Sequence, residues 1–562
     1  MNEAHAETHE TGLAADSLLD VLVEWGIGSV FICPGSTEAA FLHEVSRRSD
    51  IDIILTTHES IAVSMADAHG RATGEPAVAY LHANVGLTNG LSHLYAAQLA
   101  HSPVVLLTGL KQTQIQGRGG FTTAPHMRDF VRQYSKWTWQ SLRADAVASD
   151  VARALQVSAT APQGPTWVGL SQDLVEAAAS RGAGPRGRHT IADAVRAPSA
   201  SVTRTVDLLL TSRSPIIVAG ADVASASSRG HGARLLAALA EQLVAPVFVE
   251  DRRGFERTVL PTSDPHFAGL YDVTRPSVAG SDLVLFVGAK CFLEFEAPVR
   301  SDVPVGAKLV HTHPDPAEVA KIHGVDVAAV SDSVTFLDDV LTELKTREPV
   351  ARLGAAVEIA REEQQQVIGR VLPGPSADDR VTVGQVMDAL SRTLDGGTLV
   401  VGDATTSGKA LIHAVECSEA TIHTTSSGSL GWGVGAALGF KLAQPEKRVV
   451  AVCGDGAFQF GIPGLWTAVR YNIDVTYIVV NNESYAAVGA AIRRYAGSVT
   501  DEERALTVDL AGPRLSAVAE GFGLRGFVAR TLKDFTAALE AAAQAKGPCL
   551  VEVVTDPLDM GP

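Results

Sequence analysis

"GDGAFQFGIPGLWTAVRYNIDVTYIVVNN", residues 454–482, sets a glycine-flanked aspartate at one end and an asparagine pair at the other. Just upstream, "RVVAVC" (448–453) is an apolar run that reads as a strand buried on both faces. Asp455 then falls at the strand's C-terminal end. "IPGLWTAVRYN" carries Ile462, Leu465, Trp466 and Val469 at helical spacing, and "VTYIVV" (475–480) is the next strand. The pattern predicts one βαβ unit with parallel strands and a right-handed crossover. Asp455 and Asn482, 27 residues apart, then emerge on one sheet edge, the edge where doubly wound folds hold ligands. A carboxylate oxygen, a carboxamide oxygen and a backbone carbonyl suit a hard cation such as Mg²⁺, which usually shares its six oxygens with substrate phosphates. Gly454 and Gly456 let backbone approach phosphate closely. Gly-Asp-Gly alone is a common turn; the joint pattern on one βαβ unit is what points to a metal–diphosphate site.

Working outward, apolar strand-like runs alternate with helical patterns in three series. The first holds "SVFIC" (29–33), "IDIIL" (51–55), "AVAYL" (77–81), "PVVLL" (103–107) and "PTWVGL" (165–170). "SRGAGPRGRH" (180–189) reads as a linker. The second series holds "SPIIVAG" (214–220), "APVFVE" (245–250), "DLVLFVG" (282–288) and "AKLVHTH" (307–313), and a break follows at "LPGPSADDR" (372–380). The third holds "GTLVVG" (397–402), "RVVAVCG" (448–454), "VTYIVV" (475–480) and "CLVEVV" (549–554). Strands buried on both faces with helices between them mean parallel sheets. The expected fold is α/β: three doubly wound parallel-sheet domains over residues 11–180, 198–345 and 376–557.

The 562 residues are too many for one hydrophobic core. The composition, 46% hydrophobic and 19% charged, is that of a soluble globular protein. A net charge of −17 argues against a nucleic-acid partner. No apolar run reaches the roughly 18 residues that span a bilayer, so no membrane association is expected. The polar, acidic opening "MNEAHAETHE" reads as a frayed arm, not a signal peptide. Five cysteines without CxxC spacing fit a reduced, cytoplasmic setting.

The 454–482 stretch resembles the motif of thiamine diphosphate (ThDP) enzymes, which begins Gly-Asp-Gly and ends Asn-Asn about thirty residues later. The likeness extends along most of the chain, because that family orders a pyrimidine-binding, a middle and a diphosphate-binding domain, matching the three units above. The resemblance implies ThDP and Mg²⁺ as cofactors. The Asp455 and Asn482 side chains and the Ser484 carbonyl would ligate the metal, with Gly454, Gly456 and Ala457 beside the diphosphate. The family needs a carboxylate at the pyrimidine N1′, just after a strand of the first domain, and "IDIILTTHES" supplies Glu59 there. "SSGSLGWGVGAALG" (426–439) resembles the family's Gly-Gly-Leu-Gly segment, with Ser429 in place of the second glycine. It implies Leu430 as the apolar wedge between the cofactor rings and the Gly428 carbonyl as acceptor for the 4′-amino group. After "GTLVVG", Thr405 and Thr406 stand where hydroxyls bind diphosphate oxygens.

"PGSTEAAFL" (34–42), "LHANVGLTNG" (81–90), "LWTAVRYNI" (465–473) and "AKGPCLVEVVTDP" (545–557) are similar in particular to benzoylformate decarboxylase and its 2-keto acid decarboxylase relatives. On that likeness Ser36 would bind the substrate carboxylate and His82 would face the reacting carbon. One departure stands out: the family's second active-site histidine falls in "GAKCFLEFEAP" (288–298), where Phe295 stands between Glu294 and Glu296. The loop "GLKQTQIQGRGGFTTAPHMRDF" (109–130) carries only His126. Ala486, Ala487, Ala490 and Ala491 follow the metal loop and predict a sparsely filled helix. The function expected is C–C cleavage or formation on a 2-keto acid, by decarboxylation and/or carboligation with an aldehyde or ketone acceptor to a 2-hydroxyketone. The alternative is an acetolactate synthase-like carboligase, although "VAGADVASA" (218–226) lacks a full GxGxxG. The family's site lies between subunits, which implies a homodimer or homotetramer.

Overall fold

The computed structural model of the chain describes residues 11–180, 186–191, 195–225, 228, 230–250, 253–293, 301–348, 352, 354–372, 381–417 and 421–556. Three six-stranded sheets, parallel throughout, organise it. The first runs in the order Asp52–Leu55, Ser29–Cys33, Ala77–His82, Val104–Leu110, Thr166–Ser171, Trp137–Gln140. The second runs Phe267–Leu270, Val247–Val249, Pro215–Ala219, Leu283–Val287, Lys308–His313, Val327–Val330. The third runs Ile422–Thr424, Leu399–Asp403, Val449–Gly454, Val475–Asn481, Cys549–Val554, Arg525–Ala529. Inner strands such as Val104–Leu110, Pro215–Ala219 and Val475–Asn481 are buried at every position. That two-sided burial is why they read as unbroken apolar runs. A short antiparallel pair, Thr11–Leu13 with Ala178–Ser180, closes the ends of the first domain.

The chain forms two compact units. One is built on the first sheet and also takes in Leu438–Ala443 and Gly461–Tyr471. Within it, the Tyr471 hydroxyl donates to the Ile53 carbonyl and accepts from the Leu55 amide, and the Thr467 hydroxyl donates to the Leu55 carbonyl. The other unit holds the second and third sheets.

Two local features add to the expectation. The apolar-run reading did not pick out Trp137–Gln140, Phe267–Leu270, Val327–Val330, Ile422–Thr424 or Arg525–Ala529 as strands, and each is an edge strand of its sheet. The helix expected over "IPGLWTAVRYN" forms as Gly464–Arg470, and a further helix not expected, Asp455–Gly461, precedes it across Ile462–Pro463. Pro463 occupies the N-cap of Gly464–Arg470, a place where its missing N–H costs nothing. Residues 373–380 of the expected break, Phe295 with its neighbours, the first ten residues and 181–185 of the linker lie outside the described residues; the rest of the linker holds a short turn at Arg186–Arg188. All five cysteines are free thiols. Among the described residues no helix is long and apolar enough to cross a membrane.

Candidate active site

In the first unit, Glu59 opens the helix Glu59–Thr73, directly after the strand Asp52–Leu55. His58 caps that helix by accepting from the Ser60 amide. The helix is buried along most of its length, and at its far end Arg71 pairs with Asp67 and donates to Ser102. Glu59 therefore sits on a rigid support. Its Oε2 accepts from Asn89 Nδ2 at 3.0 Å. The neighbouring Cys33 thiol is pushed up to about 12, first by burial and then by the Glu59 charge.

Ser36 opens a short 3₁₀ turn, Ser36–Glu38, after the strand Ser29–Cys33, and is exposed. The same turn carries Thr37 and Glu38, both buried. Glu38 is fully enclosed, with Oε2 accepting from the Gly35 amide at 2.7 Å and facing His82 Nδ1 at 3.1 Å. The Thr37 hydroxyl lies 2.8 Å from the same nitrogen and donates to Glu38 Oε1. With a carboxylate facing it, Nδ1 carries the proton, and Nε2 is left for other partners. Gly109 makes this packing possible, since a Cβ there would sit 1.8 Å from Glu38 Oε1. Lys111, just beyond the strand Val104–Leu110, donates to Ser36 Oγ at 3.1 Å. Glu38, Asn89 and Lys111 were not singled out in the sequence. The one available signal was the position of Glu38, two residues from Ser36, but a buried acid and a solvated one look alike there.

In the second unit, Gly454 ends the strand Val449–Gly454, and Asp455, Gly456 and Ala457 begin the helix Asp455–Gly461. Asn482 directly follows the strand Val475–Asn481. Asp455 Oδ2 and Asn482 Oδ1 both accept from one backbone amide, that of Ser484, at 3.2 and 3.1 Å. The carboxylate and the carboxamide oxygen thus converge on one point, as the spacing predicted. All three residues are buried. Burial pushes the Asp455 carboxyl up to about 6 against the amides of Gly456 and Ser484, which pull it down. The Ser484 carbonyl accepts from the Ala486 amide, which leaves one lone pair. These hard oxygens fit Mg²⁺. Among the described residues no group of three His, Cys, Asp or Glu side chains gathers as a metal site, so a cation here would draw on a single carboxylate together with amide, backbone and phosphate oxygens.

The loop leading to Leu430 is held from several sides. Thr425 Oγ1 accepts from the Ser427 amide, and Ser427 Oγ accepts from the Ser429 amide. Gly428 has φ +69°, a left-handed conformation that turns its carbonyl out of the strand direction. Ser426 donates to Glu256 Oε1 at 2.6 Å, and Lys290 Nζ lies 2.8 Å from that same oxygen. Leu430 is half-buried and Gly428 exposed. Beyond it, Asp403 accepts from the Gly433 amide at the start of the helix Trp432–Ala443, and burial raises its carboxyl to about 6. Thr405 is exposed and Thr406 half-buried in the turn between Leu399–Asp403 and Gly408–Ala414. In the helix Ala486–Ala496, Ala486 is buried while Ala487 and Ala491 are exposed.

Comparison with known proteins agrees along the whole chain. Residues 13–130 match the thiamine pyrophosphate enzyme N-terminal TPP binding domain, 202–340 the central domain and 401–553 the C-terminal TPP binding domain. Thiamine pyrophosphate is another name for ThDP. A benzoylformate decarboxylase of Pseudomonas aeruginosa is 29% identical over 96% of this chain and 98% of its own. An acetolactate synthase large subunit of Mycobacterium tuberculosis is 28% identical over 95% of this chain and 94% of its own. The solved structure of a thiamine diphosphate-dependent 4-hydroxybenzoylformate decarboxylase from Rhodococcus jostii superposes with a TM-score of 0.83 at 26% identity, covering 97% of this chain and 99% of the other. With three domains matched in order and both domain types that bind the cofactor present, this chain belongs to the thiamine diphosphate-dependent enzymes.

Proposed function

We propose that the protein is a ThDP- and Mg²⁺-dependent enzyme that removes CO₂ from a 2-keto acid and releases an aldehyde or joins the remaining fragment to a second carbonyl compound as a 2-hydroxyketone. The observation that carries this reading is the convergence of Asp455 and Asn482 on the Ser484 amide. In this reading Asp455, Asn482 and the Ser484 carbonyl hold Mg²⁺. Thr405, Thr406, Gly454, Gly456 and Ala457 surround the diphosphate, Gly428 accepts from the 4′-amino group, and Leu430 separates the two rings. ThDP, when bound, supplies a nucleophilic carbon and takes up the electron pair that CO₂ leaves behind. Glu59 exchanges a proton with the pyrimidine N1′. Ser36 donates to the substrate carboxylate. Glu38 fixes the proton on His82 Nδ1, so that Nε2 is the nitrogen that bonds the substrate oxygen. The domains proposed for these roles are 11–180, 198–345 and 376–557, and the setting is cytoplasmic.

The proton that completes aldehyde release has no histidine at position 295 to come from. A positioned acid contributes about 10²–10⁴-fold to such a step. With phenylalanine there, addition to a carbonyl acceptor competes well. Offered a 2-keto acid and excess aldehyde, the enzyme is expected to form mainly 2-hydroxyketone. Phe295→His is expected to shift products toward free aldehyde. Chromatographic product analysis decides it: aldehyde alone from the wild type, at about 10 s⁻¹ or more, would sink the argument.

The active unit is proposed to be at least a dimer, as a homodimer or homotetramer, because the family's cofactor lies between domains of different subunits. Light scattering under assay conditions tests this, and a fully active monomer would rule it out.

A further inference from the structure

Lys111 is half-buried, its ammonium lies 3.1 Å from the Ser36 hydroxyl, and among the described residues no carboxylate forms an ion pair with it. It is not a loosely hung surface lysine. Its backbone carbonyl accepts from Gln116 Nε2 at 2.6 Å. Gln116 is itself held, donating to Ser171 Oγ and accepting from Gln140 Nε2. Two residues further on, the Thr113 amide and hydroxyl both donate to Asp173. Before Lys111 the strand pairs Leu110 with Ser171, and after it the loop is tied through Thr113 and Gln116, so the ammonium is delivered to one place at the C-terminal edge of the first sheet. Across that edge, Glu38 is spoken for by Gly35, Thr37 and His82, so the cation is available to a ligand.

We infer that Lys111 binds a second, non-reacting carboxylate, and that the preferred donor substrate is a short-chain 2-oxo dicarboxylic acid. This rests on the proposed reaction, with Ser36 at the carboxylate that leaves. In that reaction the bond between the carboxylate and the keto carbon breaks, its electron pair stays on the carbon, and neutral CO₂ departs. Negative charge leaves the carboxylate in the transition state. A cation paired with that carboxylate would stabilise the ground state more than the transition state and slow the step. A neutral hydroxyl such as that of Ser36 is the better partner for it. A fixed ammonium beside Ser36 is therefore matched to an anion that keeps its charge throughout. A carboxylate at the other end of a short keto acid is such a group, and its binding energy is uniform between ground and transition states.

The test measures CO₂ release by the ThDP- and Mg²⁺-loaded enzyme from two matched pairs, 2-oxoglutarate against 2-oxopentanoate and 2-oxoadipate against 2-oxohexanoate. Each pair differs by carboxylate against methyl. The wild type is expected to prefer the dicarboxylic member of at least one pair in kcat/KM. Lys111→Met is expected to lower the dicarboxylate-to-monocarboxylate ratio about 10- to 100-fold, the range of a charge-assisted hydrogen bond, with the change in KM. Lys111→Arg is expected to recover most of it. Wild-type preference for both monocarboxylic members, or an equal loss on both members of a pair in Lys111→Met, overturns the assignment while leaving the proposed reaction standing. Equal loss would mean that Lys111 serves the leaving carboxylate. If the loaded wild type releases CO₂ from none of the four, the inference is overturned, and benzoylformate run alongside tells whether the proposed reaction itself stands.

Discussion

Glu59→Gln is expected to lower turnover by about 10²–10⁴-fold, the range of a lost general acid–base group, while ThDP still binds. The substitution keeps the shape of the side chain, and the amide can still partner Asn89, which now bonds Oε2. The helix behind it is anchored independently, by the His58 cap and by the buried Asp67–Arg71–Ser102 contacts, so the fold should survive. What is lost is the ability to pass a proton to and from the pyrimidine. No neighbour can stand in, because the adjacent Cys33 thiol, raised to about 12 mainly by burial, does not ionise near neutrality. The measurement is hydrogen–deuterium exchange at the thiazolium C2 of bound cofactor. Exchange at the wild-type rate in the variant would remove Glu59 from its proposed role.

Asp455→Ala is expected to weaken Mg²⁺-dependent ThDP binding by at least about 100-fold, since even an outer-shell partner of a metal site commonly accounts for 10- to 100-fold. Asp455 brings the one formal charge among the three proposed ligands, and without the cation the diphosphate charge has little to offset it. The loop itself has a second tie. The Ser484 amide, now shared between Asp455 and Asn482, still has the Asn482 oxygen, and Tyr485 remains bonded through its amide to the Val508 carbonyl. A loss of affinity with the fold retained is thus the expected pairing, read by calorimetry with Mg²⁺ present alongside circular dichroism. Wild-type ThDP affinity in the variant would mean that the metal is held elsewhere.

The sequence by itself determined the inner strands of all three sheets and the meeting of Asp455 with Asn482. Inner strands are buried on both faces, so "VVLLTGL" or "VTYIVVN" must be apolar at nearly every position and can be read without knowing what packs on them. Asp455 and Asn482 directly follow neighbouring parallel strands that are consecutive in sequence, in register from Val449 opposite Val475 to Gly454 opposite Val480. Local connectivity alone therefore brings their ends together. Tertiary structure decided five of the six edge strands, because "WTWQ", "FAGL" and "RGFVA" pair on one side only and need no continuous apolar run. It also decided the company that His82 and Ser36 keep. Ser29–Cys33, Ala77–His82 and Val104–Leu110 lie side by side. Their C-terminal ends deliver Glu38 to His82 and Lys111 to Ser36, across separations of 44 and 75 residues. Which distant strands become neighbours is set by how whole sheets pack and register, and no short stretch of sequence carries that information.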